Sequence, residues 1–278
     1  MGMQRVACPN PQFKGATRIR LELNMGKKTK CKLLVDFLSF AKSLNFCTIS
    51  TQMGSKNKLK RFKENETFPN VVQPKRDEVL QGFKYKGNWA SFFGNNNPII
   101  LELGCGKGEY TVGLAQRNPN KNHIGVDIKG ARFWRGAKTA LEKRLDNVAF
   151  LRSQIELVDH LFGENEVDEI WITFPDPQIK YKRTKHRMTN PVFLERYNKI
   201  LKPGGTVNLK TDSEFMHGYT LGLLQGLGHE ILYANHDVYK NSGSPAEVLE
   251  IQTFYENQYL EKGKPITYIQ FKLGSADQ

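Results

Sequence analysis

Asp176 stands between two prolines in Phe174-Pro-Asp-Pro-Gln-Ile-Lys180, and a dense basic run follows it. That run comprises Lys180, Lys182, Arg183, Lys185 and Arg187, with Tyr181 and His186 among them. Proline locks its own φ, so the pair holds one carboxylate rigidly beside a cluster of cations. A fixed carboxylate can stabilise positive charge that develops next to it, and clustered lysines and arginines grip phosphates. An isolated basic run is usually a solvated loop. Beside a rigid carboxylate, the reading as a phosphate-binding ridge is preferred.

A second constellation is Glu102-Leu-Gly-Cys-Gly-Lys-Gly108, with Asp127 following. Glycines such as Gly104 and Gly106 let a backbone turn sharply and approach a ligand closely. The spacing is G-x-G-x-G, so it matches neither the dinucleotide G-x-G-x-x-G pattern nor the G-K-[ST] ending of a phosphate-binding loop. Glu102 would repel a pyrophosphate and would suit the cationic methionine end of S-adenosylmethionine. Asp127 lies roughly twenty residues beyond the glycines, where an acid can accept hydrogen bonds from ribose hydroxyls. An Asp at a strand end can also simply cap the next turn. Loop and acid together favour a nucleoside cofactor, S-adenosylmethionine before NAD.

The elements that must position these groups form a regular series. Pro98–Leu103, His123–Asp127, Val148–Leu151, Glu169–Phe174 and Thr206–Lys210 are apolar runs of strand length. Helical patterns separate them, with Glu109–Arg117 the first. Ala131–Leu145 follows and carries Phe133, Ala137, Ala140 and Leu141 on one face. Asn190 and Pro191 are cap and first-turn signals for the next helix, and Ser213 for another. Pro203-Gly204-Gly205 is expected to be a turn. Two further strands fall near Ile231–Ala234 and Ile266–Leu273. The alternation predicts an α/β fold, with a mostly parallel seven-stranded sheet covered by helices on both faces. Ligands bind at the carboxyl ends of such strands. Gly104–Gly108, Asp127, Asp176 and Asp212 all fall there.

Around this domain, expected over residues 98–273, the composition changes. Residues 53–97 read as a basic arm, with Lys56, Lys58, Lys60, Arg61 and Lys63, broken by Pro69 and Pro74. Residues 1–52 read as a poorly ordered extension with one helix across Leu33–Leu44, and Met53 offers an alternative start. The formal net charge is +13 over 278 residues, which points to a polyanionic partner. The four cysteines form no C-x-x-C pair and no zinc spacing. No metal and no disulfide framework are therefore expected, and a reducing cytoplasm fits. The longest apolar stretch, Leu33–Phe40, is interrupted by Asp36 and is too short to span a bilayer, so no membrane partner is expected.

In this order the motifs closely resemble the bacterial-type tRNA (guanine-N7)-methyltransferase family, over residues 53–273. The carrying residues are 101–108, Gly125-Val-Asp127, Phe174-Pro-Asp-Pro177, Lys180 with its basic run, Leu201-Lys-Pro-Gly-Gly205, Thr211-Asp212 and Thr253-Phe-Tyr-Glu256. The resemblance implies a Rossmann-like methyltransferase fold and methyl transfer from S-adenosylmethionine to N7 of a guanine in the tRNA variable loop, by a monomer or homodimer. It implies cofactor contacts at Glu102 and Asp127, and an active-site carboxylate at Asp176 that also borders the cofactor. Substrate contacts are implied at Lys180, Asp212 and Thr253, Phe254, Tyr255 and Glu256. The family's acid after the third strand is absent here, so Ser153 or Gln154 takes its place. Pro177-Gln-Ile-Lys180 departs from the family's aromatic and His, and the Arg that precedes its Thr-x-x-Glu motif is missing.

Guanine N7 carries no proton, so its methylation needs no general base. Positioning and electrostatics must do the catalysis, with Lys182, Arg183, Lys185 and Arg187 on the RNA backbone. Thr253 and Glu256 carry two readings. Thr-x-x-Glu is the sequence of a helix capping box; Glu256 could also face the donors of the guanine edge. A non-catalytic RNA-binding protein with a relic cofactor pocket is the alternative function. A small-molecule methyltransferase is a second, which the basic run disfavours.

Overall fold

The computed structural model describes residues 57–274 and two short strands, β1 (Leu21–Glu22) and β2 (Lys32–Leu33). The chain divides into two units, 1–60 and 61–278. In the first unit β1 and β2 pair antiparallel, with Leu21 opposite Leu33. Leu33 is thus in a strand, and the rest of the helix expected to Leu44 lies outside the described residues, as does most of the extension.

In the second unit an eight-stranded sheet has the order β3-β6-β5-β4-β7-β8-β10-β9. Seven strands answer to the expected ones: β4 (Ile99–Leu103), β5 (Asn122–Val126), β6 (Val148–Leu151), β7 (Val167–Thr173), β8 (Leu201–Thr211), β9 (Glu230–Asn235) and β10 (Thr267–Lys272). The eighth, β3 (Val71–Val72), adds a short parallel edge beside β6. From β3 to β8 all neighbours are parallel, and β10 runs antiparallel between β8 and β9. β4 sits between β5 and β7, and all five of its residues are buried. A strand covered on both faces is mostly apolar, and its one charged residue, Glu102, must find partners inside the protein.

The helices follow their sequence signals. α4 (Glu109–Arg117) and α5 (Gly130–Glu142) connect the first strands, and α5 buries Phe133, Ala137 and Ala140. The short α6 (Val158–Leu161) precedes β7. α7 (Pro191–Ile200) begins at Asn190, whose side chain accepts from the Phe193 N–H, with Pro191 in the first turn. α8 (Glu214–Gly226) is capped by Ser213 in the same way. The expected turn at 203–205 is instead a bulge within β8, where the register against β7 jumps from Leu201 to Thr206. Gly205 has no room for a side chain there: a Cβ would lie 2.9 Å from the Lys202 carbonyl and 3.0 Å from that of Asp168.

The basic arm expected over 53–97 is more structured than its charge suggests. After helix α1 (57–67) come β3, α2 (Arg76–Gly82) and α3 (Trp89–Phe93). Trp89 is fully buried, stacks on Phe162 at 5.4 Å and donates its ring N–H to the Leu161 carbonyl at 3.1 Å. Phe83, Tyr85, Phe92 and Phe93 cluster around it. Aromatic burial on this scale dominates local energetics, so this stretch belongs to the core despite its lysines.

Candidate active site

The parallel strands β4 to β8 all end along the same edge of the sheet. After β4 the chain turns through Gly104, Gly106 and Gly108, whose φ values are +77°, +55° and +73°. Only glycine adopts that left-handed backbone freely. Gly108 is further constrained, since a Cβ would fall 2.4 Å from the Phe150 ring. Asp127, at the end of β5, takes the Gly106 N–H at 3.0 Å on one carboxylate oxygen and the Lys129 N–H at 2.7 Å on the other. Each oxygen keeps a lone pair for a ligand hydroxyl. Ser153, after β6, is buried. Gln154 beside it is exposed and accepts from Arg76 through its side-chain oxygen. Ile155 and Met188 pack under Gly104, where a Cβ would sit 3.8 Å from each.

Glu102 lies beneath the loop and is 2% exposed. Its carboxylate accepts from the backbone N–H of Thr111 at 2.7 Å, from the Thr111 hydroxyl, and from the Thr173 hydroxyl at 2.6 Å. Burial outweighs these donors and pushes its carboxyl up to about 7. The side chain therefore ties β4 to α4 and β7, and both of its carboxylate oxygens carry protein donors. Sequence reading missed Thr111 and Thr173, which follow no motif.

Asp176 is exposed at the end of β7. It accepts from the Gln178 N–H at 3.0 Å, a one-turn closure of its own loop. Phe174 and Gln178, at the two ends of this loop, have φ values of +48° and +47°. Non-glycine residues there carry backbone strain that surrounding contacts must hold. Arg187 supplies such contacts. Its guanidinium donates to the carbonyls of Gln178 at 3.2 Å and Ile179 at 3.3 Å, and it lies over the rings of Phe215 and Tyr219. Arg187 is 6% exposed, so its expected place on the RNA backbone is corrected: it braces the loop from inside. Lys182, Arg183 and Lys185 are exposed on the 3₁₀ turn Tyr181–His186 and Lys180 is exposed just before it, with Tyr181 91% exposed.

Asp212 follows β8 and pairs with Lys264 at 3.1 Å. α9 (Ala246–Glu250) and α10 (Phe254–Glu261) then return the chain to the glycine loop. The Phe254 N–H donates to Glu109 at 3.0 Å, and the Lys107 ammonium lies 3.4 Å from the Phe254 ring centre. Phe254 and Tyr255 are exposed beside the loop, Thr253 buried behind them. The capping box is formed, with the Glu256 N–H on the Thr253 hydroxyl and the Thr253 N–H on Glu256. Glu256 is fully buried, paired with Lys210 at 2.7 Å and accepting from the Tyr239 hydroxyl at 2.7 Å. The expectation that Glu256 faces the guanine edge is corrected: buried cation, phenol and backbone occupy it. Its role is to hold Phe254 and Tyr255 in place. Lys210 escaped sequence reading, although a lysine amid an apolar central strand was a legible signal of a buried partner.

A glycine-rich turn after β4, an acid at the end of β5 and a braced carboxylate after β7 define an α/β methyltransferase of the Rossmann-like class. Residues 96–269 match the family model described as "putative methyltransferase". The chain is 72% identical to the tRNA (guanine-N(7)-)-methyltransferase of Christiangramia forsetii, over 80% of this chain and 100% of that one. It is 50% identical to that of Porphyromonas gingivalis, over 76% of this chain and 88% of that one. The chain belongs to the tRNA (guanine-N7)-methyltransferase family. Among solved structures, the 16S rRNA methyltransferase KamB shares the fold at a TM-score of 0.50 and 14% identity, over 64% of this chain and 88% of that one.

Proposed function

We propose that this chain methylates N7 of a guanine in the tRNA variable loop, with S-adenosylmethionine as methyl donor, in the cytoplasm. The observation that carries the reading is Asp176, a solvent-facing carboxylate braced at a strand end between the glycine loop and an exposed basic turn.

The cleft suits the cofactor. Asp127 keeps lone pairs for two ribose hydroxyls, Ser153 offers a hydroxyl at the neighbouring strand end, and Ile155 and Met188 give an apolar floor. Glu102 acts indirectly, by fixing the N-terminal turn of α4. S-adenosylmethionine supplies a methyl group on a sulfonium, already activated for displacement.

The guanine N7 lone pair lies in the ring plane and bears no proton, so no residue has to act as base. As the ring becomes cationic, the carboxylate of Asp176 favours the charge, and its rigid loop pays little reorganisation. Lys180, Lys182, Arg183 and Lys185 hold phosphates beside it. Phe254 and Tyr255 present aromatic faces at the glycine loop, suited to an unstacked base. Asp212, held by Lys264, stands at the end of β8, the strand next to β7.

The test is direct. The protein is incubated with methyl-labelled S-adenosylmethionine and an unmodified tRNA transcript, and the product is digested to nucleosides and mapped. One 7-methylguanosine in the variable loop is expected. Label in another nucleoside, or none, would refute the reading.

A further inference from the structure

Beside the glycine loop, on the α5 side, lies a cleft of 700 Å³ lined by Arg61, Lys107, Arg132, Trp134, Arg135 and Tyr255. Four of these six side chains are cations. Among the described residues, Glu109 is the one acid in the lining, and it is engaged by the Phe254 N–H. Lys107, Arg132 and Arg135 pair with no carboxylate among the described residues. Two cations are steadied by rings instead: Lys107 by Phe254, and Arg61 by Trp134 with 4.8 Å between guanidinium carbon and ring centre. Rings orient a cation without cancelling its charge.

Both α4 and α5 begin here, and neither has a side-chain cap. The amino-terminal ends of the two helix dipoles add to the positive field. The Asp127 carboxylate stands behind the Gly106 N–H at the edge of this cleft and is not part of its lining. A cationic sulfonium nucleoside would be repelled by four positive side chains. The strand order puts β5 and β7 on opposite sides of β4. The cleft, at the start of α5, and the Lys180–Lys185 turn, after β7, therefore flank the glycine loop from opposite sides.

We propose that this cleft is a second RNA-backbone site, binding phosphates on the other side of the target nucleotide from the Lys180–Lys185 turn. The proposal rests on the functional reading above for its ligand class. The RNA straddles the site: one stretch of backbone lies on the basic turn, the other in the cleft, and the target base is presented between them. Arg132 and Arg135 lie one helical turn apart, so their exposed guanidinium groups can reach adjacent phosphates.

The test measures binding of the unmodified tRNA transcript as a function of salt, for the full chain and for Arg132→Ala combined with Arg135→Ala. Both arginines are exposed, and thermal melting verifies that the variant is folded. Affinity at physiological salt should fall about tenfold, and the slope of log affinity against log salt should become shallower by about one to two units. Cofactor affinity should be unchanged. A control, Lys199→Ala with Lys272→Ala, removes the same charge at the amino-terminal end of β8 and should keep the wild-type slope. An unchanged slope in the arginine variant, or an equal loss in the control, would overturn the proposal. The slope reads binding and not turnover. A wild-type protein that binds tRNA but forms no 7-methylguanosine would therefore sink the functional reading and leave this one standing.

Discussion

The ammonium of Lys210 lies 2.7 Å from a carboxylate oxygen of Glu256, and neither side chain is exposed. Lys210 also donates to the carbonyls of Val248 at 2.6 Å and Ile251 at 3.1 Å, which pins α9 and the start of α10 to the end of β8. Burial lowers the Lys210 pKa, and Glu256 opposes that shift. The pair decides how the Thr253–Tyr255 stretch stands at the glycine loop.

Replacing Glu256 by Gln keeps a capping side chain but strands a buried cation. Breaking a buried pair typically costs about 3–5 kcal/mol. Glu256→Gln is therefore expected to lose stability on that scale in denaturant unfolding, far more than a surface cap would. Lys210→Met combined with Glu256→Gln should cost less than the two single changes summed, because the charge and its partner leave together.

Asp176→Asn should leave the melting temperature nearly unchanged, since the side-chain oxygen that accepts from Gln178 is retained. Turnover should fall about a hundredfold or more, the usual cost of removing one electrostatic group from a transition state. Single-turnover methyl transfer at saturating tRNA measures it. Near-normal turnover would remove Asp176 from the mechanism.

Lys182 and Arg183 should separate from Arg187. The change of Lys182 and Arg183 together to Ala is expected to flatten the salt dependence of tRNA binding by about one to two units and to spare the melting temperature. Arg187→Ala should do the reverse. It removes two hydrogen bonds and two ring contacts from the Asp176 loop, so it should cost about 1–2 kcal/mol and lower turnover while keeping the salt slope.

Glu102 gives the stability a pH signature. Its carboxyl is raised from an ordinary 4.5 to about 7 in the folded chain. Below 4.5 the group is neutral in both states, and its full contribution is present. As pH rises through that window, the unfolded chain ionises first, so the contribution is progressively lost and is gone above about 7. Glu102→Gln should lose this dependence. The melting temperature of the wild type minus that of the variant should fall between pH 4.5 and 7. A flat difference would mean that the Thr111 and Thr173 donors keep Glu102 ionised.

Much of the fold was readable in the residues. Apolar runs of strand length, the caps at Asn190 and Ser213, and the glycines at 104, 106 and 108 each act over a few neighbours, through burial, local hydrogen bonds and positive φ. Those constraints are written in the order of the chain. The aromatic cluster around Trp89 was not legible as core, because the lysines near it dominate the composition while burial is decided by what lies above it.

The candidate site divides along the same line. The sequence by itself determined that acids stand at the ends of the strands carrying Asp127 and Asp176, because strand, turn and acid are contiguous. Tertiary structure alone decided which charged groups stay available. Glu102, Glu256 and Arg187 look on paper like Asp127, Asp176 and Arg183, yet the fold closes donors or carbonyls around the first three. A charge taken out of water must find its partners inside the protein: Thr173 and Lys210 come from strands that only the packed sheet brings to Glu102 and Glu256, and the Gln178 and Ile179 carbonyls reach Arg187 through the fold of their own loop.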